Sequence, residues 1–153
     1  MYYFLKKDFE ALNTEISKIA DKIKVIGQEM GKSCQEGAET FHDNFAYEDG
    51  ERQQYMWSGR IRGLIRIRNQ ARVVEPQKGE TISLGHIVTV KDELTEKVRI
   101  IKIGSYMALA KQEEEVISYN TPLAQMLIGG RVGETREAII VGKKQSFHIL
   151  KIE

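Results

Sequence analysis

Six carboxylates crowd one short stretch of the N-terminal half: Glu36, Glu39, Asp43, Glu48, Asp49 and Glu51. No lysine or arginine falls between Gln35 and Glu51 to neutralise them. Carboxylate oxygens are the hard ligands that Mg²⁺ requires, and that ion commonly takes only one or two from protein while keeping waters and phosphate oxygens. Two such metals can clamp the attacking and leaving oxygens of a phosphodiester. The same acids would equally keep an exposed turn in water, so residue type alone leaves both readings open.

Directly after this zone the charge reverses. Arg52, Arg60, Arg62, Arg66, Arg68 and Arg72 appear with no acid before Glu75. Arginine stands at each of these places rather than lysine, and its planar fork suits phosphate oxygens. Arg62 with Arg66, and Arg68 with Arg72, stand four residues apart, so each pair lies along one helix face. The plainer alternative is ion pairing to a neighbouring helix, and Arg68 falls near an apolar seam.

The remaining reactive side chains are sparse. His42 sits beside the acids, where it is either a proton-transfer group or an incidental surface histidine. Phe41 and Phe45 either pack the turn or touch a partner. His86 and His148 lie in strand patterns without Cys or His companions and are not read as metal ligands. Cys34 is the only cysteine, which excludes an internal disulfide and any multi-thiolate metal site.

The elements that must position the charged zone are legible from periodicity. Leu5, Phe9, Leu12, Ile16, Ile19, Ile23, Ile26 and Met30 keep a four-three beat averaging about 3.5 residues, the seam of one long helix facing a partner helix. The spacing predicts a first helix from about Lys7 to Gly31 and a second from about Asn44 to Ala71. Trp57, Ile61, Leu64 and Ile67 or Arg68 continue a seam that answers the first. A short connection makes the pair antiparallel, with the acids at its turn.

Pro76 closes this region, and the period changes. Ile82 to Val90 and Val98 to Ile103 read as strands around the polar pair Asp92-Glu93. Met107 to Ala110 is expected as a short strand and Val116 to Ser118 as the approach to a turn. Thr121-Pro122 opens a short helix that Gly129-Gly130 ends. Ala138 to Val141 and Phe147 to Ile152 are the last strands. Gly129, Gly130 and Gly133 are read as turn positions of positive φ. The fold class is α+β, a helical hairpin over residues 1–75 followed by a bent antiparallel sheet domain with one short helix over 76–153.

The 153 residues carry a formal net charge of only +1, which argues against a general nucleic-acid coating protein. The opening Met1-Tyr-Tyr-Phe-Leu-Lys-Lys is too short in its apolar stretch for a signal peptide. No apolar run reaches the roughly 20 residues that span a bilayer, and a cytoplasmic location is expected.

Two stretches carry a specific resemblance. Residues 117–134, Ile-Ser-Tyr-Asn-Thr-Pro-Leu-Ala-Gln-Met-Leu-Ile-Gly-Gly-Arg-Val-Gly-Glu, resemble the C-terminal signature of the GreA/GreB transcription elongation factors. Asp43-Asn-Phe-Ala-Tyr, then Glu51-Arg-Gln-Gln-Tyr and Gly59-Arg-Ile, resemble the region just past that family's coiled-coil tip. The resemblance implies an N-terminal antiparallel coiled coil and an FKBP-like C-terminal domain that docks on bacterial RNA polymerase. It implies that the coiled coil enters the polymerase secondary channel and brings tip carboxylates to the active centre. There they share Mg²⁺ with the polymerase as it hydrolyses backtracked RNA; no tightly bound cofactor is implied. The chain is then an accessory factor rather than an enzyme.

On this resemblance Asp43, with Glu39 or Glu36, is the metal-facing group, and Asp43 the metal ligand. Arg52, Arg60, Arg62 and Arg66 contact the nascent RNA, and Ser118, Asn120, Thr121, Pro122 and Leu123 form the polymerase-docking segment or serve as local caps and core. One departure stands out. Cleaving members carry two acids three residues apart at the tip, and Thr40 occupies the place of the first. A non-cleaving paralogue that occupies the channel is therefore the alternative. A prolyl isomerase of the FKBP kind is remote, since only Tyr106, Tyr119 and Phe147 are offered to line a proline pocket. A coiled-coil chaperone would want an apolar tip.

Overall fold

The computed structural model describes residues 1–36 and 45–153. These form two compact units: Met1–Phe9 together with Ala71–Glu153, and Glu10–Gln70. The sheet unit thus takes in the first nine residues and residues 71–75, which the sequence reading places with the helices.

The two expected helices are α1 (Lys6–Glu36), which belongs to the helical unit from Glu10 on, and α2 (Phe45–Asn69). At about 1.5 Å per residue, the 31 residues of α1 extend about 46 Å. The predicted seam is the buried one: Leu12, Ile16, Ile19 and Ile26 are buried, as is Leu64 of α2. Ile23, Met30, Trp57 and Ile61 are half-buried. Two amphipathic helices covering one another's stripe is how a short helical unit removes apolar surface from water. No helix among the described residues is long and apolar enough to cross a membrane.

In the other unit, β1 (Tyr2–Phe4) pairs in parallel with β2 (Ala71–Val73), a ribbon with no counterpart in the sequence reading. Here the extended ribbon replaces the last turn expected of α2. The main sheet comprises β3 (Ile87–Asp92), β4 (Val98–Gly104), β5 (Glu115–Ser118), β6 (Thr135–Ile140) and β7 (Lys143–Ile152), in the order β5-β4-β3-β7-β6. Its neighbours are antiparallel except β4 and β5. A register shift at Thr89/Val90 against β7 bends the sheet.

Alternation sends Val88, Val90, Ile101, Ile103, Phe147 and Ile149 to one face, where Ala124, Met126 and Leu127 of α3 (Pro122–Leu127) cover them. The strand expected over Met107 to Ala110 does not form. Because β5 runs parallel to β4, residues 105–114 are spent bringing the chain back across the sheet, and Val116 to Ser118 become strand instead. The Tyr106 N–H donates to the Tyr3 carbonyl within that return.

Candidate functional site

The helical unit brings the acidic and basic stretches onto a common scaffold. Three contacts fix how α2 lies on α1. A Cβ built on Gly50 would strike the Met30 side chain, with Sδ at 2.9 Å. One built on Gly27 would lie 3.0 Å from Gln54 Nε2. Lys22 Nζ sits 4.1 Å from the centroid of the Trp57 ring, a cation–π pair. The numbers fall along α1 as they rise along α2, so the helices run antiparallel. The buried Gly50 is a seam position that periodicity could not reveal, because it has no apolar side chain to count.

The acid-rich stretch joins the ends of these helices. Glu36 closes α1, while Glu39 and Asp43 lie outside the described residues, as do Thr40, Phe41 and His42. Phe45 opens α2 and is exposed. Asp49 is already engaged: Arg52 Nη2 reaches its Oδ1 at 2.8 Å, and Gln53 Nε2 donates to its Oδ2 at 2.7 Å. Glu48 and Glu51 are exposed. Among the described residues no three His, Cys, Asp or Glu side chains are grouped to hold a metal.

Of the arginines nominated for phosphate, Arg52, Arg60, Arg62 and Arg66 are all exposed on α2, and Arg52 alone of them makes an ion pair among the described residues, the surface bridge to Asp49. Arg68 is half-buried, in keeping with its place near the seam, and Arg72 lies on β2.

The segment Ser118–Leu123 follows β5 and opens α3. Thr121 is the N-cap, its Oγ1 accepting the Ala124 N–H at 3.3 Å and donating to the Ser118 carbonyl at 2.8 Å; Pro122 follows at the first helical position. Ser118 Oγ lies 2.7 Å from Asn120 Oδ1 and 3.1 Å from the Tyr106 carbonyl, two acceptors for its one proton. Gln125 Nε2 donates to the Tyr119 carbonyl. Leu123 packs against the core, while Asn120 and Pro122 are exposed. The five residues are therefore brought together, but three serve the fold and two face solvent.

The glycines after α3 divide by cause. Gly129 and Gly133 have φ of 84° and 89°, the left-handed region favoured by glycine. Gly130 does not; a Cβ there would crowd Ile149 Cδ1 at 2.5 Å and the Leu127 carbonyl at 3.0 Å, so close approach explains it.

Three arrangements escaped sequence reasoning. Arg136 donates from Nε to the Met126 carbonyl at 2.7 Å and from Nη2 to the Ile128 carbonyl at 3.1 Å, capping the C-terminal end of α3. His86 is buried, with Nδ1 3.0 Å from the Ser83 N–H and Nε2 2.5 Å from the Gln77 carbonyl. A backbone donor at Nδ1 and a backbone acceptor at Nε2 fit the Nε2–H tautomer and engage both ring nitrogens. Asp8, in the first turn of α1, is buried within the sheet unit.

Residues 76–153 match the family described as "Transcription elongation factor, GreA/GreB, C-term". The transcription elongation factor GreA of Bradyrhizobium sp. is 38% identical over 114 residues, covering 72% of this chain and 71% of that protein. The GreA of Bradyrhizobium diazoefficiens is 32% identical over 150 residues, covering 95% and 92%. Among solved structures, the GreA factor homolog 1 (Gfh1) of Thermus thermophilus is similar at 22% identity and a TM-score of 0.44, covering 99% of this chain and 97% of that one. The match over residues 76–153 and the identity to the two GreA proteins decide the matter: the chain belongs to the GreA/GreB family of transcription elongation factors.

Proposed function

We propose that this chain binds bacterial RNA polymerase through its secondary channel and supports hydrolysis of backtracked RNA by the polymerase's own active centre. The observation that carries the reading is the antiparallel packing of α1 and α2, whose joined ends are the acid-rich residues 36–51. Asp43, with Glu39 or Glu36, is the carboxylate set offered to the polymerase. Carboxylate oxygens suit Mg²⁺; with Asp49 engaged within α2, Asp43 with Glu39 or Glu36 would add a ligand to a metal held by the polymerase. Bound there, a shared Mg²⁺ would supply charge stabilisation of the attacking and leaving oxygens. Arg52, Arg60, Arg62 and Arg66 orient the RNA, and Asn120 and Pro122 present the docking surface that Ser118, Thr121 and Leu123 hold in shape. The factor is an accessory to the polymerase and acts in the cytoplasm.

Thr40 favours a second reading. A hydroxyl brings no full negative charge to a metal, so a factor with one tip acid would occupy the channel and regulate transcription without cleavage. The deciding experiment is a stalled, backtracked elongation complex carrying 3′-labelled RNA. Short labelled fragments that appear with the chain and vanish with Asp43→Ala establish cleavage. No fragments, together with blocked cleavage by a second, cleaving factor added afterwards, establish occupancy. Neither fragments nor blocking ends the polymerase reading.

A further inference from the structure

Five residues of α2 fall at alternating three- and four-residue steps along one helix face: Arg52, Tyr55, Gly59, Arg62 and Arg66. All five are exposed, and Tyr55 is 80% exposed. Its ring makes no aromatic contact and its hydroxyl no hydrogen bond among the described residues. Arg62 and Arg66 have no ion-pair partner among the described residues, and the sequence carries no carboxylate between Arg52 and Val74. The face is complementary to a polyanion.

Gly59 turns this from a charged face into a shaped one. Helical side chains lean toward the N-terminus, so a side chain at position 59 would lie over the turn that carries Tyr55. Glycine leaves that side of the ring open. Among the described residues nothing lies within 4 Å of a Cβ built there, so no packing among them asks for glycine, although glycine weakens a helix interior.

We propose that Tyr55 is a base-stacking platform for single-stranded RNA, with Arg52, Arg62 and Arg66 holding phosphates along the same face. Aromatic stacking is indifferent to base identity but needs an unpaired base, whereas the arginines are indifferent to pairing. Arg52 to Arg66 spans about 21 Å along the helix axis, enough for a short run of extended nucleotides. Identifying that RNA as the backtracked 3′ segment rests on the polymerase reading; the stacking site itself does not.

The test titrates the full chain against a short fluorescein-labelled single-stranded RNA by anisotropy over a series of NaCl concentrations. Tyr55→Ala is expected to weaken binding roughly tenfold without changing the salt slope, and Tyr55→Phe to stay within about twofold. Gly59→Leu, a better helix former at an exposed position, is expected to keep the helical circular dichroism and weaken binding as Tyr55→Ala does. Arg62→Gln is expected to lower the slope of log K against log salt by about 0.7. Equal affinity of Tyr55→Ala and the unaltered chain overturns the proposal, as does a failure of the unaltered chain to bind. So does poly-glutamate competing as well as unlabelled RNA, which would assign the face to acidic protein. In a second arm, 4-thiouridine near the RNA 3′ end of a backtracked complex is expected to crosslink at position 55. A chain that binds RNA through Tyr55 but does not bind polymerase sinks the polymerase reading and leaves the stacking site standing.

Discussion

Ser105 Oγ donates to Asp8 Oδ2 at 2.5 Å, tying the first turn of α1 to the residue that follows β4. The same oxygen accepts the Leu5 N–H at 2.8 Å, and Asp8 Oδ1 accepts the Ala110 N–H at 3.3 Å. Asp8 is only 1% exposed and has no cation within ion-pair distance among the described residues. A buried carboxylate in that position depends on its hydrogen-bond donors. Ser105→Ala removes the shorter of them and is expected to cost about 1–3 kcal/mol of stability by urea unfolding. In a double-mutant cycle with Asp8→Ala the coupling should exceed about 0.5 kcal/mol. Additive effects would mean that the two side chains do not act as a pair.

Gly50 sits in the helix–helix seam because the Met30 side chain occupies the volume its Cβ would need. Gly50→Leu is expected to destabilise the helical unit by about 1–3 kcal/mol, since overpacking forces side chains off their rotamers. Gly31 is the control: it lies in α1 with nothing among the described residues within 4 Å of a built Cβ. Gly31→Ala should stabilise by up to about 1 kcal/mol. Thermal unfolding followed at the helical circular dichroism band separates the two. Equal melting temperatures for both variants would refute the seam argument.

The contrast between those glycines shows where sequence reading succeeds. The buried Leu12, Ile16, Ile19, Ile26 and Leu64 were legible because a long helix repeats its pattern many times. Thr121-Pro122 and Gly129 were legible because cap chemistry is local, resting on a hydroxyl and a permitted φ. β1 and β2 were not, since three residues hold too little periodicity to mark a strand, and their pairing joins residues about seventy apart. Gly50, Gly130 and the pair Asp8–Ser105 depend on neighbours that only tertiary structure brings close. For the candidate site, Arg52, Arg60, Arg62 and Arg66 are exposed on α2, Asp49 is engaged by Arg52 and Gln53 of its own helix, and the acids Glu39 and Asp43 fall outside the described residues.

Asp92 closes β3 and accepts the Leu94 N–H at 2.8 Å and the Thr95 N–H at 3.3 Å. The Leu94 bond, then the Thr95 bonds and the nearby Arg99 charge, hold its carboxyl below the ordinary value near 3.8. A lowered folded pKa means the unfolded chain binds the proton more readily, so this group stabilises the fold above the unfolded value. That stabilisation fades as pH falls through the lowered folded pKa. Asp92→Asn should therefore flatten the acid limb of stability against pH, and NMR titration of the Asp92 carboxyl should give a midpoint below that of an unstructured aspartate. A midpoint at or above the unstructured value would remove the turn's claim on acid stability.

Thr40 is the position where function is most open to change. Under the channel reading, Asp43 offers one full negative charge to the polymerase's Mg²⁺, and the residue three places earlier offers a hydroxyl. Restoring a carboxylate by Thr40→Asp adds a hard oxygen donor where cleaving members carry one. If transition-state stabilisation rises by about 1.4 kcal/mol, cleavage of backtracked RNA rises about tenfold. The gain should require Asp43, because both acids would serve one metal, so Thr40→Asp in an Asp43→Ala background should cleave no faster than Asp43→Ala alone. A gain that survives the loss of Asp43 would mean that the added charge acts elsewhere, for instance on docking, which polymerase affinity measured on non-backtracked complexes would register. No gain at all, with polymerase binding intact, would place the limit on cleavage outside the tip acids and favour the channel-occupying regulator.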